Sequence, residues 1–167
     1  MNQVKPSGPL QVVTFPNETP GSNQTRRTAV LYSVAAFIAL IGLADSIYLT
    51  VEHLSGRSVK CTIVAGCSTV LSSPYASWRG IPLALIGAVS YFTVFSLATL
   101  AAYSYAWAGK ILAIIVAAMF VTTVWLIYLQ AFVIKAFCQF CLLSALVTLA
   151  LTILIIASRL WRSTATD

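Results

Sequence analysis

Four cysteines carry most of the chemistry open to this sequence. They form two pairs, Cys61-x5-Cys67 and Cys138-x2-Cys141. A cysteine is a nucleophile, a metal ligand or half of a disulfide, and two pairs in one chain admit all three uses. The second pair lies in "KAFCQFCLLSALV", Lys135 to Val147, at the head of a long apolar run. Thiol exchange and metal binding normally proceed in water. A pair at the edge of an apolar segment therefore raises the question of what reacts with it there.

The composition describes the surroundings. Of 167 residues, 59% are hydrophobic and only 8% are charged, against about a quarter charged in soluble domains. A soluble domain of this size has no way to hide that much apolar surface, which implies a small integral membrane protein. The net charge of +6 does not point to nucleic acid. No basic stripe is interleaved with aromatics, and the charges lie at the ends of apolar runs, where topology-setting Lys and Arg belong.

A helix needs about 20 apolar residues to cross the hydrocarbon core. Uncharged lengths then predict four spans: Ala29 to Val51 with the single charge Asp45, one within Gly80 to Gly109, Ile111 to Ile134, and Phe137 to Ser158. Pro82 suits the first turn of the second span, where its missing N–H costs nothing. Tight connections are expected around Trp107–Lys110 and around Lys135–Ala136, which makes spans two, three and four antiparallel neighbours. The expected fold class is an all-α integral membrane bundle of four transmembrane helices. A long extracytoplasmic loop, about Glu52 to Ile81, joins the first two.

Residues 1–27, rich in Pro, Gly, Asn, Ser and Thr, read as a disordered cytoplasmic tail. Residues 28–160 form the membrane domain, and 161–167 form a C-terminal tail. The sequons at Asn17 and Asn23 are short enough to arise by chance. Four spans put both termini on one side, with Arg26, Arg27, Lys110, Arg159 and Arg162 near helix ends and Lys5 further out. Arg57, Lys60, Arg79 and Lys135 lie on the other. The excess favours cytoplasmic termini. All four cysteines then face the exterior, where thiols tend to be oxidised.

Passive cysteines would be scattered through the spans, so four on one face favour redox cycling. Two inert structural disulfides are one alternative. A four-cysteine zinc site is another, but one pair opens a transmembrane helix with no polar second shell in view. Cys138 falls in or just before a first helical turn, where unpaired N–H groups and nearby Lys135 favour a thiolate. Apolar surroundings push the other way, and the sequence leaves that balance open. Cys141 lies one turn deeper, level with lipid, within reach of a hydrophobic electron acceptor such as a membrane quinone. Cys61 and Cys67 lie on an exposed segment able to meet a soluble dithiol and pass electrons inward through mixed disulfides.

With these residues in place, the chain resembles the vitamin K epoxide reductase family in its bacterial, stand-alone form. The resemblance covers about residues 42–146. It rests on "GLADSIYLT", on "KCTIVAGCSTVLSSPYASWRGIPLALIG" and on "FCQFC", in that order. It implies a four-helix bundle around a quinone pocket, with Cys138 and Cys141 as the active-site pair. By the family's scheme Cys141 faces the quinone and Cys138 exchanges with the loop. Cys67 then bridges to Cys138, and Cys61 meets the partner. Ser73 matches a serine associated with the site.

The implied reaction is oxidation of a periplasmic DsbA-like thioredoxin-fold protein by ubiquinone or menaquinone, in the inner membrane. Because no thioredoxin domain is fused here, the partner is a separate protein. The animal enzymes carry a tyrosine four residues after the second cysteine of the C-x-x-C. Here that position is Ala145, which puts epoxide reduction in doubt. The other four-helix quinone-linked thiol oxidase, DsbB, has its C-x-x-C first, the reverse of the order seen here.

Some single residues invite weaker readings. Asp45 is an intramembrane acid and a candidate proton relay, since quinone reduction takes up two protons. Its plain alternative is hydration near the interface or a hydrogen bond to a polar neighbour. His53, beside Glu52 at the water boundary, reads as an interfacial polar residue before it reads as a catalyst. Tyr75, Trp78, Trp107 and Trp161 read as interfacial belt residues, with Tyr75 and Trp78 as weak candidates for capping a pocket. Thr122, Thr123 and Tyr128 read as contacts between helices.

Overall fold

The structure, a computed structural model, describes residues 20–55, 66–103 and 105–163. Cys61, Arg57, Lys60 and residues 1–19 lie outside the described residues. The chain forms α1 (Pro20–Leu54), a short α2 (Cys67–Leu71), a 3-10 turn (Pro74–Ala76), strands β1 (Ser77–Trp78) and β2 (Ile81–Pro82), then α3 (Leu83–Ala102) and α4 (Ala106–Tyr128). A π-helical stretch, Leu129–Ile134, extends α4, and α5 (Gln139–Ser163) follows. Four of these helices are long and apolar enough to cross a membrane: Arg26–Leu54, Leu83–Ala102, Trp107–Ile134 and Gln139–Trp161. The four-helix membrane fold expected from the sequence is the fold observed.

α1 packs on α3 and α5, and α4 closes the ring against the same two helices. The inward stripe of α1 explains the close fit. Tyr32, Ala35, Ala36, Ala39, Asp45, Ser46 and Leu49 recur at helical spacing and are all buried. Small residues let helix backbones approach where lipid supplies no hydrophobic drive. At Gly42, on the same stripe, an added Cβ would stand 2.5 Å from the Tyr91 ring of α3. The outward faces are apolar too, with Phe37, Phe92, Ile114 and Leu146 all exposed, as lipid-facing surfaces require.

Two buried clusters divide the bundle along its length. The larger is rich in alanine and joins Ala35 and Ala39 of α1, Val94 and Ala98 of α3, Leu112 and Val116 of α4, and Leu151 and Ile155 of α5. The smaller, at the other end, consists of Leu49, Cys67, Val70 and Cys138, with Cys141, Phe140 and Ile134 packed against it.

Three boundaries depart from the sequence reading. α1 begins at Pro20, inside the stretch read as tail, because proline's fixed φ suits a first helical position. α5 likewise runs on to Ser163. The break between the second and third spans falls at Tyr103–Tyr105, not at Trp107–Lys110. Gly109 is tolerated in the opening turn of α4, where it is buried and its carbonyl accepts from Arg159 Nη2 at 3.5 Å. Pro82 precedes α3 and closes β2. The β1–β2 ribbon pairs Ser77 with Pro82 and Trp78 with Ile81. Arg79 and Gly80 both have positive φ at its turn, as the favoured two-residue hairpin turn demands.

Candidate functional site

The site is assembled where α4 hands over to α5. Beyond Tyr128 the helix widens into π geometry, and Lys135 ends it in the left-handed conformation at φ 53°. Such bulges re-aim side chains and are frequent at functional sites. Cys138 follows at the N-cap position of α5, its carbonyl accepting the N–H of Leu142 at 3.0 Å. Its side chain is fully buried. Cys141 lies one turn further on, half-buried, and both are free thiols.

The balance left open by the sequence is decided by hydrogen bonds. The Cys138 thiol is drawn down to about 7. The largest cause is a hydrogen bond with the Cys141 side chain, and the backbone N–H groups of Cys141 and Phe140 add to it. Together they outweigh burial, which pushes the thiol up.

Cys67 opens α2, is 1% exposed, and is disulfide-bonded. It shares one apolar cluster with Cys138 and Cys141. Gly66, just before it, is pressed against the backbone of Phe137: an added Cβ would stand 2.6 Å from that carbonyl oxygen. Three of the four cysteines picked out by the sequence are thus brought together.

Cys141 also faces a cavity of about 340 Å³, within the range of small-molecule sites. Leu49, Val70, Leu83, Met119, Leu126 and Ile134 make its walls largely apolar, and Asp45, Ser46, Thr122, Thr123 and Gln130 supply polar points. Ser73, His53 and Tyr75 line it as well. The Ser73 hydroxyl is engaged by the Val70 carbonyl at 2.7 Å, which stiffens the turn after α2. Asp45 is 8% exposed, and neither carboxylate oxygen finds a hydrogen-bond partner among the described residues.

Thr122 and Thr123 line the cavity, and Thr122 is bonded to its own helix at the Ala118 carbonyl. Tyr128 faces outward in a row of rings with Trp125 and Phe132. Trp107 is exposed, and the Trp161 ring lies under the Arg27 guanidinium, 5.4 Å away.

Sequence reasoning missed two residues. Gln130 is 4% exposed in the π stretch. Its Oε1 accepts the Cys138 N–H at 3.2 Å, and it lines the cavity together with Cys141. A lone amide within an otherwise apolar span was the available signal. Tyr91 reaches across the bundle to α5, with its hydroxyl 2.7 Å from Ser144 Oγ, 3.0 Å from the Ser144 carbonyl and 3.0 Å from Thr148 Oγ1. A buried tyrosine needs such partners, and its signal was too general to read.

The arrangement is a dithiol packed in the cluster of Cys67, with Cys141 also lining a largely apolar chamber inside a four-helix membrane bundle. The model of the vitamin K epoxide reductase family matches residues 33–156, a range that takes in all four cysteines and most of the four long helices. The chain belongs to the vitamin K epoxide reductase family, a family of membrane oxidoreductases.

Proposed function

We propose that the protein is a quinone-dependent thiol oxidase that oxidises a DsbA-like thioredoxin-fold partner on the exterior face of the inner membrane. One observation carries the reading: Cys138 is buried in the cluster that holds Cys67, while Cys141, one turn along, lines the cavity. Both sulfurs pack in the cluster of Cys67, and Cys141 in addition meets the cavity, which supports a relay from the loop pair to a molecule in the chamber.

The electrons run inward in three exchanges. The partner's dithiol reduces the loop disulfide, Cys61 with Cys67, and leaves as a disulfide. The Cys67 thiolate then attacks the Cys138–Cys141 disulfide at Cys138, and Cys61 resolves the mixed disulfide. The resulting helix dithiol gives two electrons and two protons to a quinone, ubiquinone or menaquinone, which leaves as the hydroquinone while the Cys138–Cys141 disulfide re-forms. A thiol held near neutrality exchanges fast at ambient pH, which suits Cys138 as the shuttle sulfur. Asp45, a buried carboxyl that lines the cavity with no hydrogen-bond partner among the described residues, delivers one of the protons to the quinone. Ser73 helps to shape the cavity wall.

The test is quinone reduction by the purified protein in detergent, driven by a reduced thioredoxin-fold dithiol. Turnover lost in both Cys141→Ala and Cys67→Ala supports the relay, provided that Cys67→Ala keeps turnover with a small dithiol able to reach the helix pair. No turnover with any quinone, in folded protein, returns the choice to inert disulfides or a metal site, which metal analysis would separate.

A further inference from the structure

We propose that Gln130 is a quinone-binding residue: its amide NH2 donates a hydrogen bond to the quinone carbonyl that lies beside Cys141. The proposal rests on the quinone reading above and names a contact within it.

Three hydrogen bonds hold this residue still. Its main-chain carbonyl accepts the N–H groups of Lys135, in the left-handed cap, and of Ala136 at 3.2 Å. Its side-chain oxygen accepts the Cys138 N–H at 3.2 Å. Only the oxygen of an amide can receive an N–H, so this bond settles which end of the side chain is which. The oxygen stays with the start of α5, and the NH2 end is left for the chamber that Gln130 lines with Cys141. The residue is 4% exposed, and a buried NH2 needs an acceptor.

A quinone meets that need. Its ring suits the walls made by Leu49, Leu126 and Ile134. Its two carbonyl oxygens accept hydrogen bonds and never donate, whereas the amide NH2 donates and never accepts. A carbonyl held there lies beside a sulfur of the pair that supplies the electrons. Cys138 and Cys141 give up two electrons and two protons and join as a disulfide, while the quinone takes up both and becomes the hydroquinone. Negative charge builds on the carbonyl oxygen as the electrons arrive. A donor fixed in advance stabilises that charge more than it stabilises the starting carbonyl. Gln130 itself gives up no proton.

The experiment loads the full chain, with Cys138 and Cys141 oxidised, with a short-chain ubiquinone isotope-labelled at one carbonyl at a time. The carbonyl stretch is read by infrared spectroscopy. In the wild type one carbonyl is expected to absorb at lower frequency than in empty micelles, and in Gln130→Met it is expected to return to the micelle value. Gln130→Glu keeps an oxygen for the Cys138 N–H and, ionised at alkaline pH, has no donor. It should lose the shift too, and it serves if the methionine variant does not fold. In either variant quinone turnover should fall about a hundredfold in kcat, while a small dithiol reduces the Cys138–Cys141 disulfide as fast as before. A shift that persists in a folded variant would reduce Gln130 to a tie at the α4–α5 corner and overturn this proposal alone. A wild type that takes up no quinone would overturn the quinone reading and this proposal with it.

Discussion

Cys138 and Cys141 lie three residues apart in the sequence, yet their surroundings differ. Cys138 has a helix N-terminus and a sulfur neighbour to hold its charge, while Cys141 faces an apolar chamber. The sign of the pH effect follows. The thiolate is the reactive form, so the rate of Cys138 alkylation should rise with pH and reach half its maximum near pH 7. In Cys141→Ala the main hydrogen bond is gone while burial and the weaker backbone bonds remain, so the half-maximum should move up from the wild-type value. Alkylation followed residue by residue in mass spectra checks this, and an unmoved profile would remove Cys141 from the account. Asp45 makes a separate claim. Asp45→Asn keeps shape and removes the proton, so quinone reduction should fall by at least tenfold while exchange between Cys67 and Cys138 continues. Unchanged turnover would end the relay role.

At the scale of elements, two glycines govern how the site is clamped. Gly66 has an extended φ of 179° that any residue can adopt, so space alone demands it. Gly66→Ala should push α2 away from Phe137 and slow Cys67–Cys138 exchange, while a small dithiol still reduces the helix pair directly. Stopped-flow kinetics with the two reductants separate these effects, and equal rates from both in mutant and wild type would contradict it. Gly42→Ala presses on the Tyr91 ring, and overpacking of this kind costs about 1–3 kcal/mol. A lower melting temperature in detergent is the expected result. These elements also mark how far the sequence could be read. The four spans followed from uncharged lengths, because lipid imposes length and apolarity directly. The cysteine constellation followed from spacing and order. The corner at Tyr103–Tyr105, the π stretch and the inward turn of Gln130 did not. They depend on which hydrogen bonds close after the helices have packed, and a polar letter within an apolar run does not declare its direction. Asp45 was legible as a charge in lipid, but its lack of a partner among the described residues was not.

The whole molecule is two machines stacked along one bundle. The alanine-rich half, from Ala35 to Ile155, forms one continuous buried cluster and holds the helices in register. The other half is hollow, and there the cavity, Cys67 and the helix pair meet under the turn and ribbon that follow α2. The division matters because a thiol relay has to keep water and stray thiols from the quinone while leaving one sulfur reachable. Closing one end of the bundle and capping the other achieves both, but only if the capped end faces the oxidising side. The charge excess on the closed end argues for that orientation. It is testable without the native cysteines. In a chain with all four replaced by serine, Ser77→Cys puts a thiol on the exposed ribbon and Tyr103→Cys puts one at the exposed α3–α4 corner. A maleimide that does not cross membranes should label the first in intact cells, and the second only after lysis. The reverse pattern would place the dithiol toward the reducing cytoplasm and would sink the proposed direction of electron flow, since the partner's thiols would be kept reduced there without need of a membrane oxidant.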